Sequence, residues 1–300
     1  MRTLCFGEAI VDLVCRRPVR SLAEADAFVA HSGGVVANSA VIAARAGAAV
    51  SLAGGAGDDP WGAWLRDRLA AEHVDLRWFG LAEGHSTALA FVTLDERGEP
   101  QYQVYGDGIA AAVSALDDRL LDAVDACDAL LLTSNTLAGA HEAQLTLDAR
   151  ERALELGRPI VFDPNLRLAR WDHSAGRAGA AAGQCVPGAF LVKCNRLEAW
   201  LLTGESEPEA AAASLLAAGA QHVIVTDGAA GTILRANGMR HDIAARPARV
   251  VSTIGAGDVF LGVLLARLGM TDFYPPALAA AMPEAAEQAA RACERWGALE

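Results

Sequence analysis

The stretch Ser252–Asp258 (STIGAGD) leads directly into a continuous apolar run that ends at Leu265. The run has the length and composition of a buried helix, so Gly255, Ala256 and Gly257 are predicted at its N-terminus. Unpaired backbone N–H groups and the positive end of the helix dipole converge there, which makes the loop a candidate anion-binding site. Asp258 in the first turn either complements the dipole or accepts a proton beside a bound phosphoryl group.

On either side of this loop, short apolar runs alternate with alanine-rich stretches. Apolar strands separated by helices predict a parallel sheet that is covered on both faces. Helix starts are predicted at Pro60, with Asp59 as the cap, and at Pro208 after Ser206. The predicted fold class is an α/β sandwich, in one domain of residues 1–300. Its predicted strands are Thr3–Phe6, Val50–Ala53, Ala129–Leu132, Pro159–Phe162, Phe190–Lys193 and His222–Val225.

One segment breaks the alternation. Ser86–Tyr105 has the pattern of an antiparallel hairpin with its charged turn at Asp95–Gly98. Together with Ala9–Val14 it is predicted to form a small separate sheet, which suits a lid made of residues 9–30 and 86–110 or a contact between two subunits. The alternative is an antiparallel edge on the main sheet.

Composition and charge exclude several classes of protein. The chain of 300 residues is 53% hydrophobic and 21% charged, with a net charge of -12, so it is expected to form a large core and not to bind nucleic acid. It has no apolar run of about 20 residues and no signal-type N-terminus, so a soluble cytoplasmic protein without a membrane partner is expected. Its six cysteines lack C-x-x-C spacing, which argues against a zinc site or a disulfide framework.

Several motifs occur in a fixed order: Gly7–Asp12 (GEAIVD), Gly33–Asn38 (GGVVAN), Asp163–Arg167 (DPNLR), Asn195–Glu198 (NRLE) and the glycine loop. In this order the sequence resembles the ribokinase-like (PfkB) family of carbohydrate kinases, from the first motif to the final stretch at residues 295–298. The resemblance implies a three-layer α/β/α sandwich with a mostly parallel central sheet and a small inserted β lid. It also implies ATP-dependent transfer of a phosphoryl group to a sugar hydroxyl. The implied catalytic groups are the base Asp258 and the anion hole of Gly255, Ala256 and Gly257.

A polyol pocket is predicted near the first two motifs. Two adjacent glycines let the backbone approach a ligand closely, and Asn38 offers both a donor and an acceptor to sugar hydroxyls. An ordinary turn before a helix that starts near Asn38, and an Asp-Pro turn with a solvated arginine, are the structural alternatives. The substrate-binding residues implied by the resemblance are Asp12, Gly33, Gly34, Asn38, Asn165 and Arg167.

A nucleotide site is predicted at the ends of two later strands. The resemblance places ATP along Asn195, Thr226, Gly228 and Gly231, with Glu198 near a hydrated Mg²⁺. Asn195 and Glu198 also have the spacing of a helix capping box, and residues 225–231 also fit a plain hairpin turn.

Two departures from the family pattern affect the cofactors. Ser252 stands where the family usually has an aspartate that helps to coordinate an activating monovalent cation, so the resemblance does not extend to K⁺ activation. Glu284–Gln288 replaces an asparagine-bearing stretch beside the adenine.

The motifs Cys5–Leu13 and Gly54–Gly62 look most like those of bacterial fructokinases, which favours fructose as the sugar. Ribokinase, 2-keto-3-deoxygluconate kinase and nucleoside kinase activities are alternatives within the same fold. A non-catalytic protein that binds sugar or nucleotide is an alternative of a different class. The sequence is compatible with a homodimer that forms through the lid and with a monomer.

Overall fold

A computed structural model describes residues 1–96, 98–106, 108–296 and 299, and in these the strands form a nine-stranded sheet and a separate four-stranded sheet. We call them the large sheet and the small sheet. Arg97 of the predicted hairpin turn, Asp107 of the predicted lid, and Gly297 and Ala298 of the final motif lie outside the described residues.

The six strands predicted for the main sheet each begin within one residue of the predicted start, and the structure adds further strands that were not predicted. In chain order they are β1 (Thr3–Glu8), β2 (Ile10–Cys15), β3 (Phe28–Gly33), β4 (Val50–Gly57), β5 (Phe79–Ala82), β6 (Leu89–Leu94), β7 (Pro100–Tyr105), β8 (Ala129–Thr133), β9 (Ile160–Asp163), β10 (Leu191–Asn195), β11 (His222–Thr226), β12 (Thr232–Ala236) and β13 (Met239–Ile243). The large sheet has the order β13-β12-β11-β10-β9-β8-β1-β4-β5. From β11 to β5 all neighbours are parallel, and β12 and β13 extend one edge with antiparallel pairing.

Helices cover both faces of the large sheet. They are α1 (Val35–Arg45), α2 (Pro60–Ala71), α3 (Gly108–Ser114), α4 (Leu120–Asp125), α5 (Ala140–Glu155), α6 (Ala175–Gly183), α7 (Arg196–Thr203), α8 (Pro208–Ala217), α9 (Ala256–Met270) and α10 (Pro276–Ala292). One core lies between the sheet and α3 to α8, and the other lies between the sheet and α1, α2, α9 and α10. These layers are the α/β/α sandwich that the sequence predicts.

The two cores explain why the central strands are apolar at successive positions. In β8, Leu130 and Leu132 are buried in one core while Leu131 is buried in the other. In β9, Phe162 is buried in the first core and Val161 in the second. Because side chains of a strand alternate between faces, a sheet covered on both sides needs apolar residues at every position.

The helix starts agree with the predicted ones, with one correction. Asp59 Oδ1 accepts the Gly62 N–H at 2.8 Å and caps α2. Helix α8 begins at Pro208, as predicted, and its N-cap is Glu207. Helix α1 begins at Val35 rather than near Asn38, which places Asn38 inside its first turn.

The small sheet is separate from the large one, so the alternative of an antiparallel edge on the main sheet is wrong. Its order is β3-β2-β6-β7, in which β6 and β7 form the predicted antiparallel hairpin. Its inner face packs Val14, Ala90 and Val92 against Ile254, just before α9. The small sheet is therefore in direct contact with the glycine loop.

Candidate active site

A cleft opens at the carboxyl ends of the parallel strands and is covered by the small sheet. Ligand sites of α/β sheets gather at this edge. The cleft has three adjoining parts: an inner pocket, a middle groove and an outer pocket. Asp258 lines both the inner pocket and the middle groove, and Thr226 lines both the middle groove and the outer pocket. The inner pocket is lined in part by Glu8, Asp12, Asn38, Asn135, Asn165 and Asp258. The middle groove is lined in part by Arg167, Lys193, Asn195, Glu198, Thr226 and Gly257, and the outer pocket in part by Thr226, Gly228, Phe260, Ala286, Ala289 and Cys293.

The glycine loop begins α9, as predicted. Gly255 is the N-cap with φ of 72°, a left-handed conformation that favours glycine. The Val259 N–H bonds to the Gly255 carbonyl, so the N–H groups before it have no acceptor within the helix. The Ala256 N–H turns back to the Thr253 carbonyl at 3.4 Å. The N–H groups of Gly255, Gly257 and Asp258 are therefore the donors of the loop best placed for an anion, and they include two of the three predicted ones, Gly255 and Gly257.

Asp258 lies at the boundary of the inner pocket and the middle groove and is only 7% exposed. Its Oδ2 accepts a hydrogen bond from Asn38 Nδ2 at 2.8 Å. Burial raises the pKa of the Asp258 carboxyl to about 6, and the Asn38 hydrogen bond opposes that shift. The carboxylate is thus ionised at neutral pH, yet basic enough to accept a proton from a hydroxyl group.

Asp12 faces the same pocket from β2. Burial, followed by the charge of Asp258, raises the pKa of Asp12 to about 7. A Cβ atom on Gly33 would lie 2.4 Å from the Asp12 carboxyl carbon, and one on Gly34 would lie 2.5 Å from the Glu8 carbonyl oxygen. The two glycines therefore leave room for Asp12 and for the end of β1. Gly34 also lines the inner pocket, so this packing role is compatible with the predicted close approach of the backbone to a ligand.

The loop after β9 brings Asn165 and Arg167 to the cleft. Asn165 has φ of 39°, and its N–H donates to Asp163 Oδ1 at 3.1 Å. The guanidinium carbon of Arg167 lies 5.0 Å from the ring centre of Tyr102, which belongs to the small sheet. Arg167 is therefore not the solvated arginine of the structural alternative, because it joins the small sheet to the floor of the cleft.

Lys193, near the end of β10, is a further residue of the middle groove, and no role was predicted for it. Its Nζ is paired with Asp163 Oδ2 at 2.8 Å, and both side chains are at least 95% buried. Burial lowers the pKa of Lys193, but Asp163 and Glu198 outweigh that effect and the net shift is upward. A Cβ on Gly257 would lie 3.1 Å from Nζ. A permanent positive charge therefore stands beside the glycine loop.

Asn195 and Glu198 form the predicted capping box of α7. Asn195 Oδ1 accepts the Glu198 N–H, and Glu198 Oε2 accepts the Asn195 N–H, both at 2.9 Å. Burial and the neighbouring Asp163 raise the pKa of Glu198 to about 7. Both residues also line the middle groove, so the capping role and a role toward phosphates are compatible.

The turn after β11 contributes two of its three predicted residues to the cleft. Thr226 and Gly228 line the middle groove and the outer pocket. Gly231 has φ of 104°, and a Cβ there would lie 2.4 Å from the Ile243 carbonyl oxygen. Gly231 therefore packs against β13 and is not among the residues that line these pockets.

The two departures from the family pattern have local explanations. Ser252 Oγ accepts the Ile254 N–H at 3.1 Å, while the Cys293 carbonyl accepts the N–H groups of Val251 and Ser252. The hydroxyl thus closes the turn before the glycine loop without a carboxylate. In α10, Glu284 pairs with Arg267 on the surface, and α10 presents alanines to the outer pocket.

Comparison with known proteins identifies the family. The family described as pfkB family carbohydrate kinase matches residues 2–292. The chain belongs to this family. It is 33% identical over 264 residues to a fructokinase of Oryza sativa subsp. japonica, an alignment that covers 88% of this chain and 81% of that protein. The relatives also include fructokinases of bacteria.

Two of these bacterial structures superpose over nearly the whole chain. A Vibrio cholerae fructokinase bound to fructose, ADP and calcium has a TM-score of 0.84 and 27% identity, with 99% of this chain and 94% of that chain covered. A Xylella fastidiosa fructokinase with bound ATP has a TM-score of 0.83 and 28% identity, with 99% and 93% covered. The chain is thus an ATP-dependent carbohydrate kinase.

Two further properties concern metals and membranes. The described part of the chain has no cluster of three or more His, Cys, Asp or Glu side chains able to hold a metal ion. It also has no helix with the length and apolar character needed to cross a membrane.

Proposed function

We propose that this kinase transfers the γ-phosphoryl group of ATP to a hydroxyl of fructose, with Asp258 as the general base. The observation that carries the proposal is the position of Asp258, which combines a raised pKa, a hydrogen bond from Asn38 and direct proximity to the anion loop. The sugar occupies the inner pocket under the small sheet, and the phosphates follow the middle groove. The apolar outer pocket takes the adenine.

The residues divide the reaction between them. Asp258 removes the proton of the attacking hydroxyl as its oxygen bonds to the γ-phosphorus and the bond to the ADP oxygen breaks; the proton then leaves to solvent. The N–H groups of the glycine loop, those of Gly255, Gly257 and Asp258, and the Lys193 ammonium offset the negative charge of the transferred group. Arg167, stacked on Tyr102, holds the small sheet over the site and keeps water out.

The donor set fits Mg²⁺ that is held mainly by phosphates and water. A hydrated Mg²⁺ keeps several waters and needs only one or two protein carboxylates, and Glu198 in the middle groove can supply one. Bound Mg²⁺ neutralises charge on the β- and γ-phosphates.

We also propose that K⁺ does not activate this kinase. Ser252 stands where the family usually has a cation-coordinating aspartate, and its hydroxyl closes the turn before the glycine loop without a cation. All six cysteines are free thiols, which fits the reducing cytoplasm.

The proposed activity is tested by measuring ADP formation by chromatography with fructose, ribose, 2-keto-3-deoxygluconate and adenosine as acceptors. Fructose is expected to stimulate ADP formation most, in the presence of Mg²⁺, and replacing K⁺ by choline is expected to leave the rate unchanged. Stimulation by another acceptor would reassign the substrate. Binding of ATP or sugar without any turnover would instead favour a non-catalytic binding protein.

We also propose a homodimer through the small sheet. Phe28, Phe91 and Tyr105 form a row of edge-to-face rings, at 5.2 and 5.4 Å between centres, on the face opposite Asp12. Tyr105 is 48% exposed. Sedimentation equilibrium is expected to give a dimer for the wild type and a weaker one for Tyr105→Lys, with Tyr274→Lys, an exposed tyrosine before α10, as the control. A monomeric wild type contradicts this proposal.

A further inference from the structure

We propose that Glu99, in the hairpin turn of the small sheet, binds the ribose hydroxyls of ATP and makes this kinase select ribonucleotides over deoxyribonucleotides. The inference rests on the proposed placement of ATP, with the adenine in the outer pocket and the phosphates in the middle groove. A hairpin and a lid were predicted here from the sequence, but no role was predicted for Glu99.

Glu99 lies at the junction where the outer pocket meets the middle groove. Its side chain lines both spaces, as do those of Thr226, Thr253 and Cys293. Among the described residues that line both, Glu99 alone carries a carboxylate. The ribose of a nucleotide connects its base to its phosphates. A nucleotide with its base in the outer pocket and its phosphates in the middle groove therefore has its ribose at this junction.

The hairpin turn is held against the turn that precedes the glycine loop. The Thr253 N–H donates to the Gly98 carbonyl at 3.0 Å, and the Thr253 hydroxyl donates to Glu99 Oε2 at 3.1 Å. A Cβ atom on Gly98 would lie 2.9 Å from the Val251 carbonyl oxygen, so the two backbones pack closely. These contacts hold the Glu99 carboxylate at a defined place relative to the glycine loop.

The Glu99 carboxylate can accept more hydrogen bonds than the protein supplies. An ionised carboxyl group accepts at about four lone-pair positions, and Thr253 uses one of those on Oε2. In the described part of the chain, no group donates to Oε1. The ribose of ATP carries hydroxyl groups on two adjacent carbons, and each can donate one hydrogen bond. In dinucleotide-binding proteins an acidic side chain accepts a ribose hydroxyl in the same way.

The other polar side chains of the junction are weaker acceptors for a ribose. The Thr226 hydroxyl donates to the Cys194 carbonyl at 3.4 Å. Burial, followed by the charge of Glu99, raises the pKa of the Cys293 thiol, so the thiol is neutral and a weak acceptor. The charge of Glu99 also repels a phosphate, whereas Lys193 attracts one further along the groove. Both effects favour a ribose beside Glu99 over a phosphate.

Calorimetric titration with ATP, 2′-deoxy-ATP and 3′-deoxy-ATP, with Mg²⁺ and without a sugar, tests the inference. The wild type is expected to bind ATP about tenfold more tightly than either deoxynucleotide, the effect of one hydrogen bond to an exposed charged group. In Glu99→Ala this preference should disappear. The ratio of affinities is the readout because loss of the negative charge changes the repulsion of the phosphates equally for all three nucleotides.

The matched control is Glu96→Ala. Glu96 is an exposed carboxylate of the same hairpin turn and lies outside the lining of the outer pocket and the middle groove. Its removal changes the net charge by the same amount and should leave the preference for ATP at its wild-type value. Thermal unfolding checks that both variants are folded.

The outcomes separate this inference from the proposed activity. A preference for ATP that is lost in Glu99→Ala and kept in Glu96→Ala supports ribose recognition by Glu99. Equal wild-type affinity for the three nucleotides, a preference that survives Glu99→Ala, or its loss in both variants would overturn the inference. The titrations contain no sugar, so a failure of fructose to stimulate ADP formation would overturn the proposed fructose activity alone.

Discussion

Asp258→Asn is expected to reduce kcat by about 10²–10⁴-fold while ATP and fructose still bind. The amide keeps the size of the side chain and can still accept the hydrogen bond from Asn38, so the pocket should keep its shape. What is lost is the group that takes the hydroxyl proton. Asp122→Asn, on the exposed side of α4, is the matched control and should have wild-type kcat.

The pH dependence of the wild type provides an independent check on this assignment. Asp258 has a pKa of about 6 and its neighbour Asp12 a pKa of about 7, both raised chiefly by burial. Protonation removes the base, so kcat/KM is expected to rise between pH 5 and 7 and to level off above. A flat profile across that window would show that a different group accepts the proton.

Asp258→Asn should also stabilise the ligand-free protein at high pH. A carboxyl group whose pKa is raised by folding binds more protons in the folded state, so its contribution to stability is lost as the pH rises through the folded pKa. For Asp258, raised from 3.8 to about 6, the penalty at pH 8 is on the order of 3 kcal/mol. Urea unfolding should therefore find Asp258→Asn more stable than the wild type at pH 8, with no gain at pH 4.

Local sequence signals were sufficient for most of the fold. Strands such as β8 and β9 are apolar at every position because both faces are buried, and that pattern needs no tertiary information. Strand β3 was missed because Phe28–Gly33 ends in Ala, His, Ser and Gly, which are weak strand formers. It becomes a strand by pairing with β2.

The site was predicted less completely, for a physical reason. Asp258 and Asn38 stand in recognisable motifs, whereas Lys193 gains its role from its partner Asp163 on the neighbouring strand β9. A buried charge is invisible in a sequence until its partner is known. The role of a glycine is equally hard to predict from the sequence, because it depends on which atoms of the folded chain would contact a Cβ at that position.

The ion pair of Lys193 with Asp163 gives the second large expected effect. Lys193→Met would leave the Asp163 carboxylate buried and unpaired, and breaking a buried pair in this way costs about 3–5 kcal/mol. The melting temperature should fall by about 10 °C in a chain of this size. Activity should fall as well, because the positive charge beside Gly257 is gone.

The double variant Lys193→Met/Asp163→Asn separates stability from catalysis. Removing both charges leaves no unpaired ion, so most of the lost stability should return, while kcat should stay about 10²-fold or more below that of the wild type. Arg152→Met, which breaks the exposed pair with Asp125, is the control and should change neither quantity. Recovery of activity together with stability would mean that Lys193 serves only to neutralise Asp163. Stability without activity would place its ammonium group at the transferred phosphoryl group.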